Sequence, residues 1–272
     1  MSRQHTILLF LLLSLGVASC AVTLHAQEPT PPSPEQTNNA APAQQPSADK
    51  PADKKDATSP AGAVVTGKSK LEKDTGTVND RIFTVMPNYG TVENATALPP
   101  LTSGQKYRLA TAGAFDYFAF PFNAALAGIA QANNSPKSWG QGWGAYGKRF
   151  GSSFADNSIG TYMTTAIFPS MLKEDPRYYQ MGHGTFKARA WHGIERLFVT
   201  RTDSGHDRFN FSEAVGNGAA TAISNIYHPD EDRTFGRNIG TFGMLFMWDG
   251  LSNEMKEFWP DIRRKVFHKQ NP

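Results

Sequence analysis

The 272-residue chain has one cysteine, Cys20. That excludes an internal disulfide framework and any cysteine-based metal cluster within one copy. Aromatic side chains are missing from residues 27–79. Charge of one sign is not in excess: 27 Lys and Arg stand against 24 Asp and Glu, a net charge of +3. No basic motif of a recognised nucleic-acid fold is present, so nucleic acid is not an expected partner. Long hydrophobic runs are scarce as well. The run Ile7–Ala18 is apolar or small throughout, but it is too short to span a bilayer comfortably. The chain contains no Gly-x-Ser-x-Gly elbow and no His-x-x-x-His pair.

What is present begins with the parts of a secretory signal over residues 1–26. Arg3 supplies the positive start, Ile7–Ala18 the apolar stretch, and small residues come next. Two cleavage sites compete. Val17-Ala18-Ser19-Cys20 has the form of a lipobox, in which the Cys20 thiol is lipidated. Leu24-His25-Ala26 places a small residue at the cut but a large Leu three back. A multiply acylated terminus would anchor firmly, at about 0.8 kcal/mol per buried methylene.

Residues 27–79, rich in Pro, Ala, Gln, Ser and Thr, cannot bury enough apolar surface to offset ordering entropy, and a disordered linker is expected there. A coil of about 50 residues has an r.m.s. span near 40 Å, a spacer between a membrane and a folded domain. Residues 80–272 hold all five Trp and all eight Tyr and are long enough for a single domain.

That domain reads as mainly α, a compact helical bundle preceded by a short extended segment. Residues 81–86 alternate like a strand, and Asn88-Tyr89-Gly90 reads as a turn. Helices are expected from near Gly104 with Ser103 as cap, within 114–132, over 141–171 with a break near Pro169, and over 186–199. Two more are expected over 213–227 capped by Ser212, and over 233–258, with Pro260 setting off a final turn. Small residues four apart, Gly147/Gly151/Ala155 and Gly216/Ala220/Ser224, predict tight helix crossings.

Several motifs carry a resemblance. They are Ser138-Trp139-Gly140-Gln141-Gly142, Tyr146-Gly147-Lys148-Arg149-Phe150-Gly151, Phe154-Ala155-Asp156 and Glu174-Asp175-Pro176-Arg177-Tyr178-Tyr179. Val199-Thr200-Arg201-Thr202-Asp203-Ser204-Gly205, Phe209-Asn210-Phe211-Ser212-Glu213 and Glu257-Phe258-Trp259-Pro260-Asp261-Ile262 complete the set. From about Met86 to Asp261 the chain resembles a group of uncharacterised exported proteins common in Acidobacteria. The resemblance implies an exported, single-module protein and supplies no activity, cofactor or catalytic residue.

The residues support two functional readings. Polar loops between helices gather the raw material of a hydrolase: Ser204 as nucleophile, His206 or His228 as base, Asp203 or Asp232 as orienter. Turn chemistry and structural ion pairs account for the same residues, with Arg177, Arg201 and Arg233 set against Glu174, Asp203 and Asp232. The second reading is a surface-binding module. Segment 186–199 has an apolar stripe of Ala190, Trp191, Ile194, Leu197 and Phe198 beside Lys187, Arg189, His192 and Arg196. The C-terminus sets Phe258, Trp259, Ile262 and Phe267 beside Arg263, Arg264 and Lys265. Basic amphipathic segments of this kind suit an anionic lipid interface. The ordinary alternative is that the stripes face the core and the charges face water. No cofactor and no metal site is expected. The favoured expectation is a lipid-tethered envelope module that binds a membrane surface or envelope partner, and the alternative is a periplasmic hydrolase.

Overall fold

The computed structural model describes residues 69–78, 80–93 and 98–267, all in the unit Val65–Pro272. The expected signal, Cys20 and residues 27–68 of the expected linker lie outside the described residues, as does the Phe267 side chain. The fold is mainly helical, with a few very short strands.

Order begins before the expected boundary at residue 80. Ser69 and Glu72 form a reciprocal capping box on α1 (Lys70–Thr75), and Gly76 closes it in the left-handed conformation at φ 69°. Thr75 is buried against Thr77, and its carbonyl accepts from Arg177 Nη1 at 2.8 Å. A polar sequence is ordered here because its buried partner is a guanidinium. The next segment folds as a hairpin of β1 (Arg81–Ile82) and β2 (Met86–Pro87), not as one strand. β3 (Thr91–Val92) then pairs in parallel with β5 (Tyr178–Tyr179). β4 (Glu174–Asp175), β6 (Val199–Thr202) and β7 (Asp207–Phe209) form an antiparallel sheet in the order β4-β6-β7.

Helix ends match the available caps. Thr102, paired with Gln105, caps α2 (Ser103–Ala114) one residue before the expected cap. α3 spans Ala119–Ala132 with Pro121 in its first turn, where a missing N–H costs nothing. α4 (Trp143–Tyr162) passes through a π turn, Met163–Ile167, into α5 (Phe168–Leu172). Pro169 cannot donate to residue 165 and its ring crowds that carbonyl, so the spacing widens just before it. α6 covers Phe186–Phe198, and α7 (Phe211–Ser224) is capped by Asn210. Ser212, the expected cap, instead donates its backbone N–H to buried Glu174 Oε2 at 2.8 Å.

α8 (Phe235–Phe267) runs straight through Pro260, against the expected stop. The carbonyl that Pro260 leaves without a helical donor, Lys256 O, accepts instead from Gln180 Nε2. Glu257 O accepts from Arg189 Nη2 in the same region. Side chains from elsewhere in the fold thus satisfy the interrupted ladder.

One of the two small-residue ridges is a crossing. An added Cβ on Gly216 would lie 3.2 Å from the Met163 and Thr164 backbone, and Ala220 and Ser224 are buried beside it. The other is not: Gly147 and Gly151 look onto open space. α6 and α8 instead cross at Gly193, where an added Cβ would run into Glu254, and at Gly250, where one would lie 3.2 Å from Leu197.

The interior is unusually charged. Asp175 accepts from Arg177 Nη2 at 2.6 Å and from the Tyr179 hydroxyl at 2.8 Å. Glu257 accepts from the Tyr178 hydroxyl at 2.9 Å, from Arg189 Nε at 2.9 Å, and from the Met181 and Gly182 N–H groups. Glu174 binds Arg208 Nε at 2.8 Å. The segment Glu174–Gly182 is therefore pinned on several sides by charge-assisted hydrogen bonds, roughly twice as strong as neutral ones.

Candidate functional site

The polar loops do not meet at one place. Asp203, Ser204 and His206 lie in the β6–β7 turn, ahead of α7, whereas His228 and Asp232 come after its far end. Fourteen residues of helix separate the two groups by about 21 Å. Ser204 Oγ is 3.3 Å from His206 Nδ1, at an exposed site. Asp203 does not orient that imidazole. Both its carboxylate oxygens accept from the ammonium of buried Lys106 at 2.9 Å, and Lys106 also donates to Pro169 O at 3.1 Å. A nucleophile–base–orienter arrangement is thus not assembled from Ser204 with His206, nor from Ser204 with His228.

The ion pairs expected among the Arg residues exist with different partners. Arg177 binds Asp175, Arg208 takes Glu174, Lys106 takes Asp203, Arg233 reaches Asp230 and Arg237 takes Asp232. Arg201 donates to Gly205 O and lies over the Tyr179 ring.

His228 sits in a cluster that spacing alone does not reveal. Its Nε2 is 3.0 Å from Asp156 Oδ2 on α4, and its Nδ1 is 3.6 Å from Asp232 Oδ2. Tyr227 donates to Asp156 at 2.6 Å, and Arg237 Nη1 is 2.9 Å from Asp232. Burial pushes the imidazole pKa down. Hydrogen bonds to Asp156 and Asp232, with their charges, outweigh burial and raise it to about 9. This cluster edges a cavity of about 310 Å³ between α3, α4, the end of α7 and the start of α8. Asp156 was visible in the sequence within the motif Phe154-Ala155-Asp156. Its pairing with His228, 72 residues away, was not.

A second, smaller cavity of about 130 Å³ lies between α6, α7 and α8. Asn217 Nδ2 bridges Glu213 Oε1 at 2.9 Å and Asp249 Oδ2 at 3.2 Å. Burial and then the Asp249 charge push the Glu213 carboxyl well above its ordinary range. Burial pushes the Lys256 ammonium down, with Asp249 and Glu213 opposing it. Among the described residues no group of three or more His, Cys, Asp or Glu is placed to hold a metal ion.

The surface reverses the expected polarity. On α6, Arg189 and Gly193 face inward, and Arg189 is only 7% exposed. Trp191, Ile194 and Phe198 lie along the opposite side, with Trp191 66% exposed. Arg189, expected to meet a surface, is instead locked to Glu257 and Asp261 and stacked over Phe258. Lys187 is exposed. Arg196 pairs with Asp207 at 3.1 Å, Arg263 with Asp80 at 2.6 Å and Arg264 with Asp261.

The α6 stripe continues onto α8. The Phe198 ring lies 6.2 Å from Phe246, which lies 4.9 Å from Phe242, and Ile239 and Phe235 extend the row at helical spacing. Phe235 is 82% exposed. α6 and α8 are antiparallel, so the two stripes form one seam, about 17 Å on α8 and about 10 Å on α6 at 1.5 Å per residue. α3 also leaves large apolar side chains outside: small Ala119, Asn123 and Ala127 point inward, while Phe120 and Ile129 are exposed. No helix among the described residues is long and apolar enough to cross a membrane. The chain matches no family model, no curated protein and no solved structure.

Proposed function

We propose that this chain is an interaction module of the cell envelope that docks on a membrane surface through the seam Trp191–Ile194–Phe198 and Phe246–Phe242–Ile239–Phe235. The observation that carries this reading is the burial on α6: Arg189 is turned into the interior while Trp191, Ile194 and Phe198 are left exposed. A contiguous exposed apolar patch on a soluble surface marks an interaction site. Amphipathic helices that keep Trp and Phe on one side lie in the headgroup region of a bilayer. Lys187 falls in line with Trp191 and Ile194 at helical spacing, and Arg264 and Lys265 are exposed at the end of α8, so cations are available to anionic headgroups. A lipid on Cys20 would hold the domain at the same surface. Hydrolysis has less support, because the Ser204 turn lacks an orienting carboxylate.

The test is vesicle flotation of the mature chain carrying Cys20→Ser, which removes the lipid. The domain is expected to float with vesicles containing anionic lipid, and a Trp191→Ser/Phe198→Ser/Phe235→Ser variant with an unchanged circular dichroism spectrum is expected to stay behind. Failure of the parent protein to float with either anionic or neutral vesicles refutes the proposal.

A further inference from the structure

The cavity beside His228 has two unlike walls. One is apolar, from Leu126, Ala127 and Ala130 of α3 with the Trp139 indole. The other is polar, from Asn225, Asn238, Asp232 and Arg237. Its volume, about 310 Å³, is at the lower end for small-molecule sites.

Four of the five charged side chains lining the cavity are paired with one another. Asp156 and Asp232 face His228, and Arg237 holds Asp232. The Arg149 guanidinium is engaged by Gln131 and by the carbonyls of Ser135 and Pro136 at 2.7 and 2.9 Å. Arg149 faces no counter-charge, but each of its three nitrogens already donates to a neutral oxygen, which leaves few cationic N–H groups for an anionic ligand. Hydrogen-bonding capacity, by contrast, is left over. The carboxamides of Asn225 and Asn238 and the indole N–H of Trp139 make no hydrogen bond to the described residues.

We infer that this cavity binds a neutral, hydroxyl-rich ring, a sugar residue, with its C–H face against Trp139 and α3 and its hydroxyls on Asn225 and Asn238. A pyranose has that division: an apolar face of C–H groups and a rim of hydroxyls that both donate and accept. Asn offers both a donor and an acceptor. An apolar ligand would leave these polar groups buried without partners, at about 1–3 kcal/mol each. The His228–Asp156–Asp232 bridge ties the loop after α7 to α4 and so holds the polar wall in place before ligand arrives. This site is separate from the membrane-facing seam and does not depend on it.

Saturation-transfer NMR and calorimetric titration of the mature chain with glucose, N-acetylglucosamine and inorganic phosphate test the inference. Saturable binding of a neutral sugar with none of phosphate is expected. Asn238→Ala should weaken it about three- to tenfold, the value of one neutral hydrogen bond. Trp139→Ala should abolish the transfer signal, and Asn225→Ala, at a half-buried position, guards against a Trp139 variant that fails to fold. Binding of phosphate in preference to sugar, no saturable sugar binding, or sugar binding unchanged in Asn225→Ala and Asn238→Ala would each overturn the assignment.

Discussion

Replacing His228 with Gln tests the charge bridge that closes the larger cavity. The imidazole is 3.0 Å from Asp156 and 3.6 Å from Asp232, and its pKa stands at about 9 in the fold against an ordinary value of 6.5. At about 1.4 kcal/mol per pH unit, that difference sets an upper bound near 3 kcal/mol. The ring keeps some access to solvent, and screening reduces the bound to about 2 kcal/mol. Because the folded pKa is raised, this stabilisation is fully present below pH 6.5 and is lost as pH rises through 9. The variant should therefore be about 2 kcal/mol less stable than wild type at pH 6.5, and the difference should close by pH 10. At a urea dependence of about 2 kcal/mol per molar, the midpoints should differ by about 1 M at pH 6.5. Glu254, pushed up to about 7 by burial and then by Glu257, also titrates near this range. It is common to both proteins and cancels in the difference. A midpoint difference that stays constant from pH 6.5 to 10 would refute a protonated His228 held between two carboxylates.

The two glycine ridges should respond in opposite directions. Gly151→Ala meets open space and should gain about 1 kcal/mol from helix propensity, whereas Gly216→Ala drives a Cβ into the Met163–Thr164 backbone and should lose about 1 kcal/mol net, both read by urea denaturation. Equal gains at both sites would deny the crossing. Arg177→Met leaves Asp175 buried without its main partner and frees the Thr75 and Pro99 carbonyls. A loss of about 3–5 kcal/mol is expected, seen as a fall of roughly 10 °C in Tm, and it should be less than additive with Asp175→Asn. A loss below about 1 kcal/mol would show that the pair is dispensable.

How much was legible depended on the range of the interaction. The helices over 143–172, 186–198 and 211–224 were readable because periodicity and caps act within a few residues, and errors at their ends were mostly a residue or two. Pro260 misled because a proline normally ends the helical ladder. Gln180 and Arg189, some 70 residues away or more, rescue it here. On α6 the apolar and charged faces were both plain in the sequence, yet which one turned inward was not. Amphipathicity defines two faces, and only the partner across the crossing decides between them. Here the partner is Glu257 with Asp261, so Arg189 went in and Trp191 went out.

The candidate sites divide in the same way. Ser204 and His206 are close because two residues separate them, and that proximity was in the sequence. Asp203 was lost to Lys106, 97 residues away, and His228 was joined to Asp156 across 72. By itself the sequence determined the helical class, the elements and the stock of polar groups, since these arise from local propensity and pattern. The tertiary structure alone decided which charges meet in the interior, which glycines touch a neighbour and which aromatic rings are left at the surface. Those outcomes depend on distances between residues far apart along the chain, which no local pattern encodes.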